Sequence, residues 1–269
     1  MKKRFVSLLI LLCLLCFQAA FQAAPARAEA LFPDAAGDVY VCFGSYPQWI
    51  DGGNPKEETW NWSRNKLLTN PPEVAPSPIL WRVLECTEDQ ALLLSEYVLF
   101  AHPVHTNVSE YKTIGASFEK TQLSQLLNGT FLSEAFTPEE QALLLENEAG
   151  CRVSLLTAKE LNNKAYGLGT KATRKAWATE YAIRVTDVFV YQPKGGQHTP
   201  YWLQDQASSD KRHARCTKVS GEIGHIVADR ENEGVRPVIR LNAAAAEILS
   251  GSGTMEDPYI LRTETAGTP

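Results

Sequence analysis

Apolar and polar positions alternate over residues 37–43, which puts Val39, Val41 and Phe43 on one face and predicts a strand. Two further apolar runs of strand length follow, Ile79-Leu80-Trp81-Arg82-Val83-Leu84 and Ala91-Leu92-Leu93-Leu94-Ser95. Thr87-Glu88-Asp89-Gln90 supplies a turn between them, so they predict a hairpin. Residues 44–78, rich in Pro, Asn and Trp (Trp49, Trp60, Trp62), read as a surface loop. The period then changes. Leu123, Leu126 and Leu127 share a helical face, with Asn128-Gly129 as the stop. Thr137-Pro138-Glu139-Glu140 joins an N-cap threonine to a glutamate three residues on, with proline at the first helical position, and predicts a helix through Leu145. Thr157-Ala158-Lys159-Glu160 repeats the pattern for a short helix. Short strands return at 185–191, 201–203, 213–219, 223–227 and 235–241. Strands at both ends of a helical middle make an α+β domain. Residues 263–269 read as a loose tail.

The first 28 residues change the picture, because they read as a removable secretion signal. Lys2, Lys3 and Arg4 precede an apolar run over residues 5–17 that is too short to span a bilayer. Ala26 and Ala28 fit a peptidase site with cleavage after Ala28, and Ala30 gives a second register. The rival lipid anchor on Cys13 or Cys16 is disfavoured, since Leu12 and Leu15 stand where a small residue is wanted. The expectation is a secreted or cell-surface protein without an integral membrane span. Residues 29–242 then form one domain and residues 243–269 a C-terminal segment. Four of the 26 basic residues (Lys2, Lys3, Arg4, Arg27) and none of the 31 acidic ones lie in the leader. The remainder is thus more acidic than the whole chain's net −5, which argues against nucleic acid or an anionic lipid surface as partner. Export also bears on Cys42, Cys86, Cys151 and Cys216, an even set that permits two disulfides. Cys42 with Cys86 and Cys151 with Cys216 is the favoured pairing; four free thiols is the alternative.

Seven phrases in order carry a resemblance: Phe43-Gly44-Ser45-Tyr46-Pro47-Gln48, Pro78-Ile79-Leu80-Trp81-Arg82-Val83-Leu84, Leu92-Leu93-Leu94-Ser95, Leu126-Leu127-Asn128-Gly129-Thr130-Phe131, Ala135-Phe136-Thr137-Pro138-Glu139-Glu140, Ser154-Leu155-Leu156-Thr157 and Gly234-Val235-Arg236-Pro237-Val238-Ile239. Over residues 39–242 the chain resembles a bacterial, Firmicutes-type domain-of-unknown-function family, six-two-seven-three. That family resembles, more distantly, the C-type-lectin-like fold of formylglycine-generating enzymes, which implies a mixed sheet with short helices and long loops. Gly251-Ser252-Gly253-Thr254 with Asp257-Pro258-Tyr259-Ile260 resembles a short module of bacterial surface proteins. Two phrases depart from the family's pattern: Phe118-Glu119 replaces a Trp-Glu pair, and Tyr201-Trp202-Leu203-Gln204-Asp205 replaces a Trp-Trp-Leu-Arg-Ser phrase.

No catalytic constellation is visible, and neither a cofactor nor a metal is expected. His213 and His225 flank a turn near Asp229, Glu231 and Glu233, without a recognised ligand spacing. A formylglycine-generating mechanism needs two thiols in the C-terminal part, where only Cys216 lies. Ser95 and Ser154 lack a nucleophile elbow, and Gly195-Gly196 has no helix behind it to cradle a phosphate. Aromatic faces beside polar loops suit sugars and peptides, so Trp177, Tyr201, Trp202, Gln204, Asp205 and Arg236 are the candidate ligand-binding residues; core packing is the competing reading of the three aromatics, and pairing with an acid or stacking on a ring that of Arg236. The expectation is a monomeric, non-catalytic module that binds a glycan, a peptide or a surface protein through loops of residues 194–233. An enzyme with a dispersed active site and a structural spacer are the alternatives.

Overall fold

The computed structural model describes residues 31–32, 38–50, 67–191 and 198–261; the leader, Trp60 and Trp62 lie outside them. The first three strands, β1 (Val39–Pro47), β2 (Pro76–Cys86) and β3 (Gln90–Ser95), form an antiparallel meander. Both outer strands of the expected loop at 44–78 run further than the alternation indicated, because β1 continues past a bulge between Cys42 and Ser45. Gly44 makes that bulge with φ +66°, and a Cβ there would stand 2.6 Å from the Ala135 carbonyl oxygen and the Phe136 ring. Only glycine meets both demands.

Strand β4 (Phe100–Ala101) leads into the helical middle: α1 (Val108–Ile114), α2 (Gln122–Leu126), α3 (Leu132–Ala135) and α4 (Pro138–Ala142). The chain does not stop at Asn128-Gly129 as expected. A π-helical turn, Leu127–Phe131, carries it straight into α3. Asn128 turns its amide outward instead: Nδ2 donates to the carbonyls of Ser124 and Val153, both at 2.9 Å. Its Oδ1 accepts the amides of Arg152 (2.8 Å) and Val153 (3.0 Å). The asparagine thus copies a strand edge rather than ending a helix. Both capping boxes form as the sequence predicts, at Thr137 with Glu140 and at Thr157 with Glu160. The first helix is shorter than expected, because β5 (Leu144–Leu145) pairs with the sheet.

Next come β6 (Val153–Ser154), α5 (Ala158–Leu161) and α6 (Glu180–Arg184). The strand expected at 185–191 is absent. Thr179 caps α6 by accepting the Ala182 amide, and Val185 closes that helix. A three-stranded antiparallel sheet follows: β7 (Trp202–Gln206), β8 (His213–Thr217) and β9 (Ile223–Val227). The strand expected at 235–241 is split. β10 (Gly234–Val235) pairs with β4, whereas β11 (Val238–Asn242) joins β3, with Arg236-Pro237 at the break. Proline offers no amide to the ladder, so a change of partner falls there naturally. Finally β12 (Ile248–Ser250) and β13 (Tyr259–Leu261) extend the main sheet, with β13 parallel to β1. Its order is β12-β13-β1-β2-β3-β11-β5, with β6 also on β11. Mixed strands with few short helices make this an α+β fold. No helix among the described residues is long and apolar enough to cross a membrane.

The main sheet is buried on both faces. Val41, Trp81, Val83, Leu93, Ile239 and Leu241 point into one core, which the helical middle and Trp202 complete. Leu84, Leu92, Leu94 and Val238 point into a second core with Leu161, Tyr166 and Ile183. Neither expected disulfide forms; all four thiols are free. Cys42 registers with Leu80, six residues along β2 from Cys86, a separation of roughly 20 Å that no disulfide bridges. Cys151 contacts the Ser124 hydroxyl at 3.5 Å, whereas Cys216 sits on β8 beside Glu233.

Candidate functional site

The aromatic residues that suggested a ligand platform are placed inside the fold. Neighbours on a strand face opposite ways, and here both sides are occupied. Trp202 (0% exposed) enters the first core, while Tyr201 (2%) and Leu203 enter the second. The Trp202 indole donates to the His102 carbonyl at 2.8 Å, and the Tyr201 hydroxyl donates to the Arg174 carbonyl at 2.9 Å. Trp177 is half-buried against the first core, and its carbonyl accepts the Val98 amide.

Arg236 is buried too. Its Nε donates to the Ser95 carbonyl at 2.7 Å, and its guanidinium lies 5.2 Å from the centre of the Tyr201 ring. Glu96 links it to Arg82: one carboxylate oxygen stands 3.0 Å from Arg82 and 3.7 Å from Arg236. Burial works against the Arg82 charge, but Glu96 and Tyr40 outweigh it and hold the guanidinium above its ordinary pKa. This Arg-Glu-Arg cluster ties β2, the β3 exit and the β10–β11 break together. It is part of the frame.

Gln204 and Asp205 point elsewhere. Asp205 accepts the Ala158 amide at 2.5 Å and so supports the start of α5. Gln204 lines a cleft of about 520 Å³ over the outer edge of the main sheet, a size that suits a small ligand or a short chain segment. The edge itself explains the cleft. Leu145 of β5 pairs with Arg240, and Val153 of β6 pairs with the adjacent Ile239. The intervening residues 146–152 are therefore one large bulge thrown out of a single edge strand. Asn147 shapes it by accepting the amides of Ala149 (2.9 Å) and Cys151 (3.0 Å), and Gly150 takes the left-handed conformation at φ +77°. Asn128 clamps its far end.

The cleft floor comes from the sheet and the N-terminus of α5, and one wall from the bulge. Arg240 lines both the cleft and its narrower extension, with its guanidinium 3.5 Å from Glu160 Oε1. Glu160 Oε2 is already occupied by the Thr157 amide (2.7 Å) and hydroxyl (2.8 Å). Around this fixed pair, the side chains of Gln90, Ser154 and Gln204 make no hydrogen bond to another described residue. Glu148 stands at the exposed rim with no ionic partner among the described residues. A narrower extension of about 80 Å³ shares Gln90, Glu160 and Arg240 and reaches Glu85, which accepts the Tyr166 hydroxyl at 2.7 Å. Burial, and then that bond, pushes the Tyr166 phenol up to about 12. Among the described residues the lining holds neither an imidazole nor a thiol; it supplies amides, hydroxyls, one guanidinium and an excess of carboxylates. Among the described residues, no group of three or more His, Cys, Asp or Glu side chains is arranged to hold a metal ion.

Sequence reasoning reached Gln204 but missed Arg240, Gln90 and the bulge. The sequence offered only an arginine between two core residues, Ile239 and Leu241; its proximity to residues 146–152 comes from the strand pairing.

In comparison with known proteins, residues 88–243 match a family described as "Domain of unknown function (DUF6273)". No curated protein and no solved structure matches the chain.

Proposed function

The chain belongs to the DUF6273 family, and within it we propose an exported, non-catalytic binding module that takes a polar peptide segment with a basic side chain in the cleft around Arg240. One observation carries this reading: Gln90, Ser154 and Gln204 present unengaged polar groups around an arginine already fixed by Glu160. Such a row matches the alternating donors and acceptors of an extended backbone. Glu146 and Glu148 on the bulge and Glu85 in the extension favour a lysine or arginine side chain over an anion. A sugar platform is less well supported, because Trp177, Tyr201 and Trp202 turn into the cores and Tyr166 is the one aromatic ring at the cleft. The leader read from residues 1–28 supports export, and a mixed sheet bearing loops supports a distant C-type-lectin-like ancestry.

Peptide and glycan arrays probed with the chain lacking residues 1–28 test the proposal. Peptides containing Lys or Arg are expected to be captured. Arg240→Ala should weaken capture about tenfold or more, the scale of a lost hydrogen bond to a charged group, and Glu148→Gln should select against basic peptides. Capture of glycans alone, or peptide capture indifferent to both substitutions, would overturn it.

A further inference from the structure

A second cluster lies on the three-stranded sheet, away from the cleft. On β8 and β9 the side chains alternate: Ala214 and Cys216 enter the first core, which leaves His213 and Arg215 on the outer face. The register sets His213 opposite Val227 and Arg215 opposite His225, so the two histidines are diagonal neighbours on that outer face. Their rings stack at 5.1 Å and 27°, and the two Nδ1 atoms face one another at 2.9 Å.

The other nitrogen of each ring has its own neighbour. His213 Nε2 lies 3.8 Å from the Asp210 carboxylate, and His225 Nε2 lies 3.4 Å from the Ser209 hydroxyl. The 2.9 Å contact is hydrogen-bond distance, so in the neutral pair one Nδ1–H donates to the other Nδ1, and oxygens stand near both outer nitrogens. A metal ion that displaces that one shared proton would find both Nδ1 lone pairs within reach. This is the arrangement in which metal-ligating histidines are found, with the second nitrogen donated to a carboxylate or another oxygen. The spacing is informative as well. Two nitrogens bound at about 2.0–2.1 Å stand about 2.9 Å apart when cis, 90° from one another, and about 3.3 Å apart in a tetrahedral site.

We propose that His213 and His225 form a two-imidazole site for a late divalent transition metal, Cu²⁺ or Ni²⁺, on the outer face of the β8–β9 hairpin. Solvent completes the coordination. The surroundings discriminate against hard cations: Asp210 accepts four hydrogen bonds from Arg212, one from its amide (3.0 Å) and three from its guanidinium (3.0, 3.3 and 2.7 Å), and Arg215 stands opposite His225. With cations alongside and Asp210 engaged by Arg212, Ca²⁺ and Mg²⁺ find little here, and affinity comes from nitrogen coordination. Of the carboxylates that the sequence placed beside the pair, Glu233 is buried against Cys216 instead; Asp210 stands beside His213.

The test uses the untagged chain lacking residues 1–28, titrated with CuSO₄ and separately with NiSO₄ in a non-coordinating buffer, followed by calorimetry and, for Cu²⁺, electron paramagnetic resonance. One equivalent is expected to bind, with nitrogen hyperfine structure from two imidazoles. His225→Gln and the double variant His213→Gln/His225→Gln should each lose at least tenfold in affinity, and the double variant should lose the nitrogen pattern. His102→Gln should lose neither. Circular dichroism confirms that the variants fold, which these exposed positions allow. Absence of binding, binding that survives in the double variant, or a spectrum without imidazole nitrogen would each overturn the site. A pair that shares only a proton, visible in NMR titration without any metal effect, would do the same.

Discussion

Replacing Glu96 with glutamine removes the single negative charge that Arg82 and Arg236 share. Arg236 is 3% exposed, so water does not take over when the carboxylate goes. Stripping one partner from a buried ion pair costs about 3–5 kcal/mol. The low end applies here. The tight contact, at 3.0 Å, is to Arg82, whose side chain keeps 17% exposure, while the buried Arg236 stands 3.7 Å away and keeps its bond to the Ser95 carbonyl. A loss of about 3 kcal/mol corresponds to a fall in Tm of roughly 6–12 °C for a domain of this size. Urea unfolding followed by the fluorescence of the buried Trp81 and Trp202 measures it directly. The double variant Glu96→Gln/Arg236→Met, which removes the buried charge as well, should recover more than half of the loss. A single variant within about 1 kcal/mol of the wild type, or a double variant worse than the sum of its parts, would refute the shared-charge account.

Two more predictions concern buried polar groups. Burial pushes the Glu233 carboxyl up to about 7 from an ordinary 4.5, against a lowering by its hydrogen bond with Cys216 and by Arg230. The fold therefore favours the protonated form. Its contribution is fully present below about pH 4.5 and is lost as the pH rises to about 7; at roughly 1.4 kcal/mol per pH unit this amounts to about 3 kcal/mol. Glu233→Gln should flatten that slope in unfolding free energy measured from pH 4 to 8; an unchanged slope would contradict the assignment. Asn128→Ala should cost about 2–3 kcal/mol, since it removes the side-chain partner of the Arg152 and Val153 amides and of the Val153 carbonyl, while the Ser124 carbonyl keeps the Leu127 amide. Faster amide exchange confined to residues 146–154 is the accompanying signature.

Local patterns were legible wherever chemistry and structure act over a few residues. The β2–β3 hairpin, both capping boxes and β9 follow from alternation, turn residues and N-cap hydroxyls. What failed depends on partners distant in sequence. Asn128 looks like a helix stop until β6 arrives to use its amide, and the strand expected at 185–191 is irregular chain leaving a helix, Glu180–Arg184, that the sequence pattern did not predict. Tyr201 and Trp202 resemble an exposed aromatic platform because a sequence does not reveal that a strand runs between two cores. Gln204 was within reach, since it is the polar end of that phrase. Arg240 was not, because its meaning comes from the bulge that opens the sheet edge beside it.

Hydrogen exchange on the chain lacking residues 1–28, with and without a captured basic peptide, tests the proposed binding site most directly. The account predicts slowed exchange of the amides of residues 146–154, with the effect abolished by Arg240→Ala. Protection elsewhere on the molecule, with residues 146–154 unchanged, would contradict it.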